Sequence, residues 1–159
     1  MLEMNLKIKP LSYNQYLRFN TRGTKYITQK GKDYLESLTY CLNPYDNTLR
    51  LFARELKKDH MVDMEIYYFK KNFYTKEDKI SKTAGDVDNP NKILIDEIFS
   101  RMGLDDYLLG RLSCEKVASD EDRVLIRMTS YNVRKYNQTM SDTLECYLEN
   151  LSLKESAIS

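Results

Sequence analysis

Apolar and polar side chains alternate most regularly at Val62, Met64, Ile66 and Tyr68, which predicts a half-buried strand. Leu6 and Ile8, set between Lys7 and Lys9, predict a first strand that stops at Pro10. A polar, tyrosine-rich loop follows from Ser12 to about Asn20, and Arg22-Gly23 marks a turn. Thr28 is placed to cap a helix whose apolar face holds Leu35, Leu38 and Leu42, ended by Asn43-Pro44. Leu49, Phe52, Ala53 and Leu56 recur at helical spacing and predict a second helix from about Asp46 to Lys58.

A third helix is expected after Asp88, its N-cap, with Pro90 in the first turn. It buries Ile93, Leu94, Ile98 and Met102 and stops at Gly103. Leu108–Val117 and Arg123–Thr129 read as two strands of an antiparallel hairpin, joined by the polar Ser119-Asp120-Glu121-Asp122. A last helix is expected from Asp142 to about Lys154, with Leu144, Tyr147, Leu148 and Leu151 on one side and Asp142 and Glu145 as a capping box. The pattern amounts to one α/β (α+β) domain, with a mixed, largely antiparallel sheet packed against helices.

No repeat, low-complexity tract or Gly/Pro-rich linker divides the 159 residues, a length that supports a genuine core. Hydrophobic residues make up 42% and charged residues 31%, which excludes a disordered tail. No apolar run reaches membrane-spanning length and the first residues lack a signal-peptide core, so the expected location is cytoplasmic, with no membrane partner. Cys41, Cys114 and Cys146 fit neither a disulfide framework nor a zinc spacing. His60 is the only histidine, and nothing near it supports a catalytic triad; it reads as a surface residue at an element boundary.

The net charge of +1 conceals a strongly basic start: Lys7, Lys9, Arg18, Arg22, Lys25, Lys30 and Lys32 face Glu3 alone over the first 32 residues. Such a segment suits a phosphate backbone, although a basic surface by itself is more often simply solvated. Residues 70–82 are again basic, with Lys70, Lys71 and Lys76 around Phe73 and Tyr74, and are expected to form a loop or hairpin. Aromatics among lysines suit stacking on unpaired bases, and equally suit packing.

The sharpest chemical signal is Asp86-Val87-Asp88-Asn89-Pro90-Asn91-Lys92, followed by Asp96 and then Asp105-Asp106. Asp86 and Asp88 project to one side if the backbone there is extended, beside a helix N-terminus that favours anions. Converging carboxylates repel unless a cation holds them ionised, and an all-oxygen set favours Mg²⁺ or Mn²⁺ over zinc. Lys92, one turn into the helix, is placed to neutralise charge on a phosphate. An EF-hand reading fails because its sixth position holds Asn91 instead of Gly. An Asp-Val-Asp-Asn-Pro run alone would be an ordinary turn with an N-cap; the lysine, the spacing and the flanking elements together argue for a site.

This Asp-x-Asp-Asn-x-x-Lys-x-x-x-Asp run with its later acidic pair resembles the RusA family of Holliday junction resolvases, found in bacteria and phages. Upstream, Asn14 in a Tyr- and Arg-containing loop before Gly23-Thr24-Lys25-Tyr26-Ile27-Thr28 is similar too, so the resemblance spans residues 4 to about 130. It implies a RusA-like fold over residues 1–136, extended by a C-terminal helical segment, 137–159, of the same domain. It also implies a homodimeric, Mg²⁺-dependent endonuclease that nicks four-way DNA junctions symmetrically, with no organic cofactor. On it, Asp86, Asp88 and Asp106 are metal ligands, Lys92 is the essential lysine, and Asn89, Asp96 and Asp105 support the site. The DNA-binding candidates are Arg18, Arg22, Lys25, Lys30, Lys70, Lys71 and Lys76. Gly85 departs from the family, which often carries a basic residue there, and the stretch from about 137 has no counterpart. The alternatives are a nuclease preferring flaps or forks, and a non-catalytic accessory protein that binds branched DNA.

Overall fold

The computed structural model describes residues 1–77, 79–80 and 90–156. Four strands form the main sheet: β1 (Leu2–Leu6), β4 (His60–Lys70), β5 (Leu109–Ala118) and β6 (Arg123–Asn132), in the spatial order β1-β6-β4-β5. β6 runs antiparallel to both β1 and β4, whereas β5 runs parallel to β4. The sheet is thus mixed and mostly antiparallel, as expected. Two strands, β2 (Leu17–Phe19) and β3 (Lys25–Ile27), make a separate antiparallel hairpin.

Four helices in the described chain are relevant to the core and the site: α1 (Tyr13–Tyr16), α2 (Gln29–Leu42), α3 (Asp46–Glu55) and α4 (Asn91–Met102). A fifth, α5 (Val133–Ser156), follows β6 directly. Every second residue of β4 from Val62 to Tyr68 is buried, as are Leu2, Met4 and Leu6 of β1 and Val124, Ile126 and Met128 of β6. These inward faces meet Leu38 and Leu42 of α2, Leu49 of α3, and Leu94, Ile98 and Phe99 of α4. The sheet therefore has one face on the helices, which is what period-2 alternation with a polar outer face requires.

Several boundaries differ from the sequence expectation. β5 and β6 are not a hairpin, because β4 lies between them and both strands pair with it. The Ser119–Asp122 link crosses the end of β4 and is fastened there, Ser119 N–H donating to Lys70 O at 3.1 Å and Lys71 N–H to Asp122 Oδ1 at 3.2 Å. The parallel β4–β5 pair needs a long crossover, and α4 lies within it. β1 ends at Leu6, although Ile8 remains buried beyond it. The segment read as a loop from Ser12 contains α1 and β2, and α3 stops at Glu55, short of Lys58.

Pro90, expected in the first turn of α4, is its N-cap residue. Asp88 lies two positions further upstream, outside the described residues, so it is not that helix's N-cap. The last helix starts at Val133, nine residues before Asp142, with Asn132 Oδ1 accepting from Lys135 N–H at 2.9 Å. Asp142 is therefore mid-helix and accepts from Gln138 Nε2 at 3.0 Å, so the expected capping box does not exist.

Candidate functional site

α4 carries the lysine of the acidic motif. The helix is anchored at its start by Asn91, a buried polar side chain: Tyr68 O–H donates to Asn91 Oδ1 at 2.5 Å, and Asn91 Nδ2 donates to Cys114 Sγ at 3.1 Å. Tyr68 is on β4 and Cys114 on β5, so the first turn of α4 is pinned over the parallel pair. Ile93, Leu94 and Ile95 then bury, which leaves Lys92 and Asp96 on the outer side, joined by an ion pair at 3.5 Å. Both are about half exposed, and the pair contributes little to stability. Lys92 is thereby presented at the surface with its ammonium available to an anion.

The far end of α4 is closed by Gly103 at φ 67°, the left-handed conformation that glycine adopts without strain. Arg101 ties this end down, donating to Asp46 Oδ1 (2.5 Å), Glu97 Oε1 (3.0 Å), Asn43 Oδ1 (3.1 Å) and Thr39 O (3.2 Å). Beyond it, Asp105 accepts from Tyr107 N–H at 3.1 Å and caps a 3-10 turn, Asp106–Leu108. Asp105 is thus occupied as a cap. Asp106 is exposed, and among the described residues its carboxylate has no partner.

Lys92 and Asp106 consequently sit at opposite ends of α4. The helix has 12 residues, a length of roughly 18 Å. Strand register gives the same separation: Asn91 is bonded to Tyr68 near the end of β4, whereas Leu109, just after the 3-10 turn, pairs with Val62 near its start. Among the described residues no three acidic, histidine or cysteine side chains come together as a metal site. Asp86, Asp88 and Asn89 lie outside the described residues, and so does Gly85.

The basic candidates fall into two groups. Arg18 and Lys25 lie on the β2–β3 hairpin, Arg22 in its turn, and Lys30 in the first turn of α2. Lys70 ends β4, and Lys71 and Lys76 follow in a segment closed by an antiparallel bridge between Tyr74 and Ile80, as the hairpin expectation required. Burial lowers the Lys70 pKa, with Lys9 and Lys116 lowering it further and Asp122 opposing them. Three lysines are therefore close together at the end of the sheet where α4 begins. The hairpin is rooted at the same end: Tyr13, Tyr16 and Leu17 line a cleft of about 400 Å³ with Lys92, Asp96 and Glu97. Burial raises the Tyr16 pKa, and Asp96 and Glu97 raise it further.

The residues 8–129 match the family described as endodeoxyribonuclease RusA. The chain belongs to the RusA endodeoxyribonuclease family. The protein is accordingly an endodeoxyribonuclease, a hydrolase of DNA, in a family of Holliday junction endonucleases that bind branched DNA and generally depend on a divalent metal. No curated protein shows a significant match to the chain. Among the described residues no helix is long and apolar enough to cross a membrane.

α5 lies beyond the matched residues and leaves Met140 and Leu144 exposed. Tyr68 and Asn91, which anchor the start of α4, and Tyr16, which lines the cleft beside Lys92, are not singled out by any motif in the sequence. Tyr68 offered a signal, since a tyrosine on an inward strand position needs a buried partner for its hydroxyl. Asn91 lay inside the acidic run and offered none.

Proposed function

We propose that this RusA-family nuclease resolves four-way DNA junctions by paired symmetric nicks, acting as a Mg²⁺-dependent homodimer in recombination and repair. Mn²⁺ is expected to substitute for Mg²⁺. The observation that carries the reading is the placement of Lys92: exposed, in the first turn of a rigidly anchored helix, and beside a cleft shared with the basic hairpin. In the sequence Asp88 stands two residues before Pro90, the N-cap of this helix.

The donor set fits a hard cation, because every candidate ligand is a carboxylate oxygen and Asp106 is exposed and, among the described residues, unpartnered. Asp86, Asp88 and Asp106 would hold the ion, which when bound supplies Lewis-acid stabilisation of the scissile phosphate and a more acidic water. Lys92 neutralises negative charge that builds on the phosphate during attack. Asp96 holds the Lys92 ammonium, while Asn89 and Asp105 support the acids. Arg18, Arg22, Lys25, Lys30, Lys70, Lys71 and Lys76 position the backbone of the DNA.

Homodimerisation also answers a geometric problem. Carboxylates that share one Mg²⁺ lie within about 4 Å of each other, given metal–oxygen distances of about 2.1 Å. Asp106 stands a helix length from Lys92 in its own chain, so the third ligand at each site comes from the second copy. The test mixes two inactive proteins, Asp88→Asn and Asp106→Asn. If each site is shared, the mixed dimer contains one site with both aspartates intact, and nicking of a four-way junction returns. If each site is built within one chain, every site in the mixture carries a lesion. Mixtures that stay inactive, despite verified subunit exchange, contradict the shared site.

A further inference from the structure

The β2–β3 hairpin is built more rigidly than an exposed surface ribbon requires. Thr28 clamps its base, its N–H donating to Tyr16 O at 2.9 Å and its hydroxyl to Gln15 O at 2.6 Å. Gly31 of α2 lets that base seat closely, since a Cβ there would stand 2.7 Å from Tyr16 O. The turn is fixed by Asn20, whose Oδ1 accepts from Arg22 N–H (2.9 Å) and Thr24 N–H (2.8 Å), and by Gly23 at φ 74°.

What this scaffold holds out is apolar. Phe19 is 68% exposed at the outer end of β2, among cations. No acidic residue occurs from position 4 to position 32, while Arg18, Arg22, Lys25 and Lys30 surround the ribbon. Phe19 pairs with Lys25 across the hairpin, so the two side chains share a face. Lys25 Nζ donates to Tyr13 O–H at 2.8 Å and lies 5.3 Å from the centre of its ring. Tyr13 in turn lines the cleft that contains Lys92. The face bearing Phe19 is thus turned to the end of the molecule where the nuclease chemistry is placed.

We infer that Phe19 is a specificity-determining residue that stacks on a nucleobase exposed at the branch point of DNA. The inference rests on the junction-nuclease reading above and extends it to how the branch is distinguished. Phosphate contacts from the surrounding cations are blind to branching, because linear duplex offers the same backbone. An aromatic face gains most where a base has already lost a stacking neighbour, as at a branch, because in continuous duplex it must first unstack a base step. The basic surroundings match a polyanion such as DNA.

The test uses the full chain, without divalent metal so that DNA is not cut. The probes are a synthetic four-way junction with 2-aminopurine at the branch point and a linear duplex with the same label in continuous sequence. Wild type is expected to change the branch-point fluorescence and to prefer the junction. Phe19→Ala is expected to lose the fluorescence change and about tenfold in junction affinity, with duplex affinity within about twofold. Phe19→Trp should keep both properties, and Arg22→Ala should weaken both DNAs alike. Phe19 contributes nothing to the core, so circular dichroism of the Ala variant should match wild type. A Phe19→Ala protein that keeps the wild-type junction-to-duplex ratio and fluorescence change overturns the inference and leaves the nuclease reading standing. A wild type with no junction preference overturns that reading and this inference together.

Discussion

Replacing Tyr68 by Phe isolates the contact that anchors the start of α4. Tyr68 is 1% exposed, and its hydroxyl donates to Asn91 Oδ1 at 2.5 Å. Its removal leaves a buried amide oxygen with neither water nor a partner, a loss of about 1–3 kcal/mol. For a chain of this size that lowers the melting temperature by roughly 3–9 °C. The second partner, Cys114 Sγ, receives only the amide Nδ2 and cannot replace the hydroxyl. Thermal and urea unfolding of Tyr68→Phe, Asn91→Leu and the double variant distinguish hydrogen bonding from packing. If the bond is the cause, the double variant is more stable than the sum of the two single losses predicts, since no polar group is then stranded. Because Lys92 follows Asn91 directly, Tyr68→Phe should also slow cleavage while leaving junction affinity near wild type. A melting temperature within 1 °C of wild type, or strictly additive losses, would refute the reasoning.

Arg101→Met should destabilise the fold by about 2–4 kcal/mol, because Asp46 and Glu97 lose a shared cation. Arg101→Lys should recover only part of this, since one ammonium cannot serve four acceptors on different elements; equal urea midpoints for all three proteins would contradict it. Stability should also fall as the pH rises above about 10. Burial raises the pKa of Tyr34 and Tyr68, so the folded chain holds protons that unfolded tyrosines release near 10. The contribution is full below that pH and is lost above it. Lys70 works in the opposite sense: burial lowers its pKa, so its cost is full at neutral pH and is relieved as the pH approaches the ordinary lysine value. Urea midpoints followed from about pH 8 to about pH 11 should decline less steeply for Tyr34→Phe than for wild type; parallel profiles would exclude the buried tyrosine as the cause.

The parts of the fold that were legible in the sequence are those set by local periodicity. The alternation from Val62 to Tyr68 is β4, the cap at Thr28 is present with Oγ1 accepting from Gly31 N–H at 3.0 Å, and Gly103 does end α4. Strand partnership was not legible. Ser119–Asp122 reads as a hairpin link because four polar residues between two strands usually are one, but here they bridge about 10 Å over the end of β4. The start of α5 was missed because Val133–Ser141 is polar and lacks a continuous apolar stripe, and its cap, Asn132, belongs to the last position of β6. For the site, residue types and spacing nominate Lys92, Asp86, Asp88 and Asp106 as candidates. Linear spacing does not show that Lys92 and Asp106 are a helix length apart, since that depends on which end of the helix each residue occupies.

Junction-specific, metal-dependent resolution is decided by cleavage of a synthetic four-way junction and a matching linear duplex, with and without Mg²⁺, by wild type and Asp88→Asn. Paired symmetric nicks are expected on the junction only, with metal only and by wild type only, with junction binding retained by Asp88→Asn. Cleavage of the duplex as readily as the junction, or cleavage by Asp88→Asn at the wild-type rate, would contradict it.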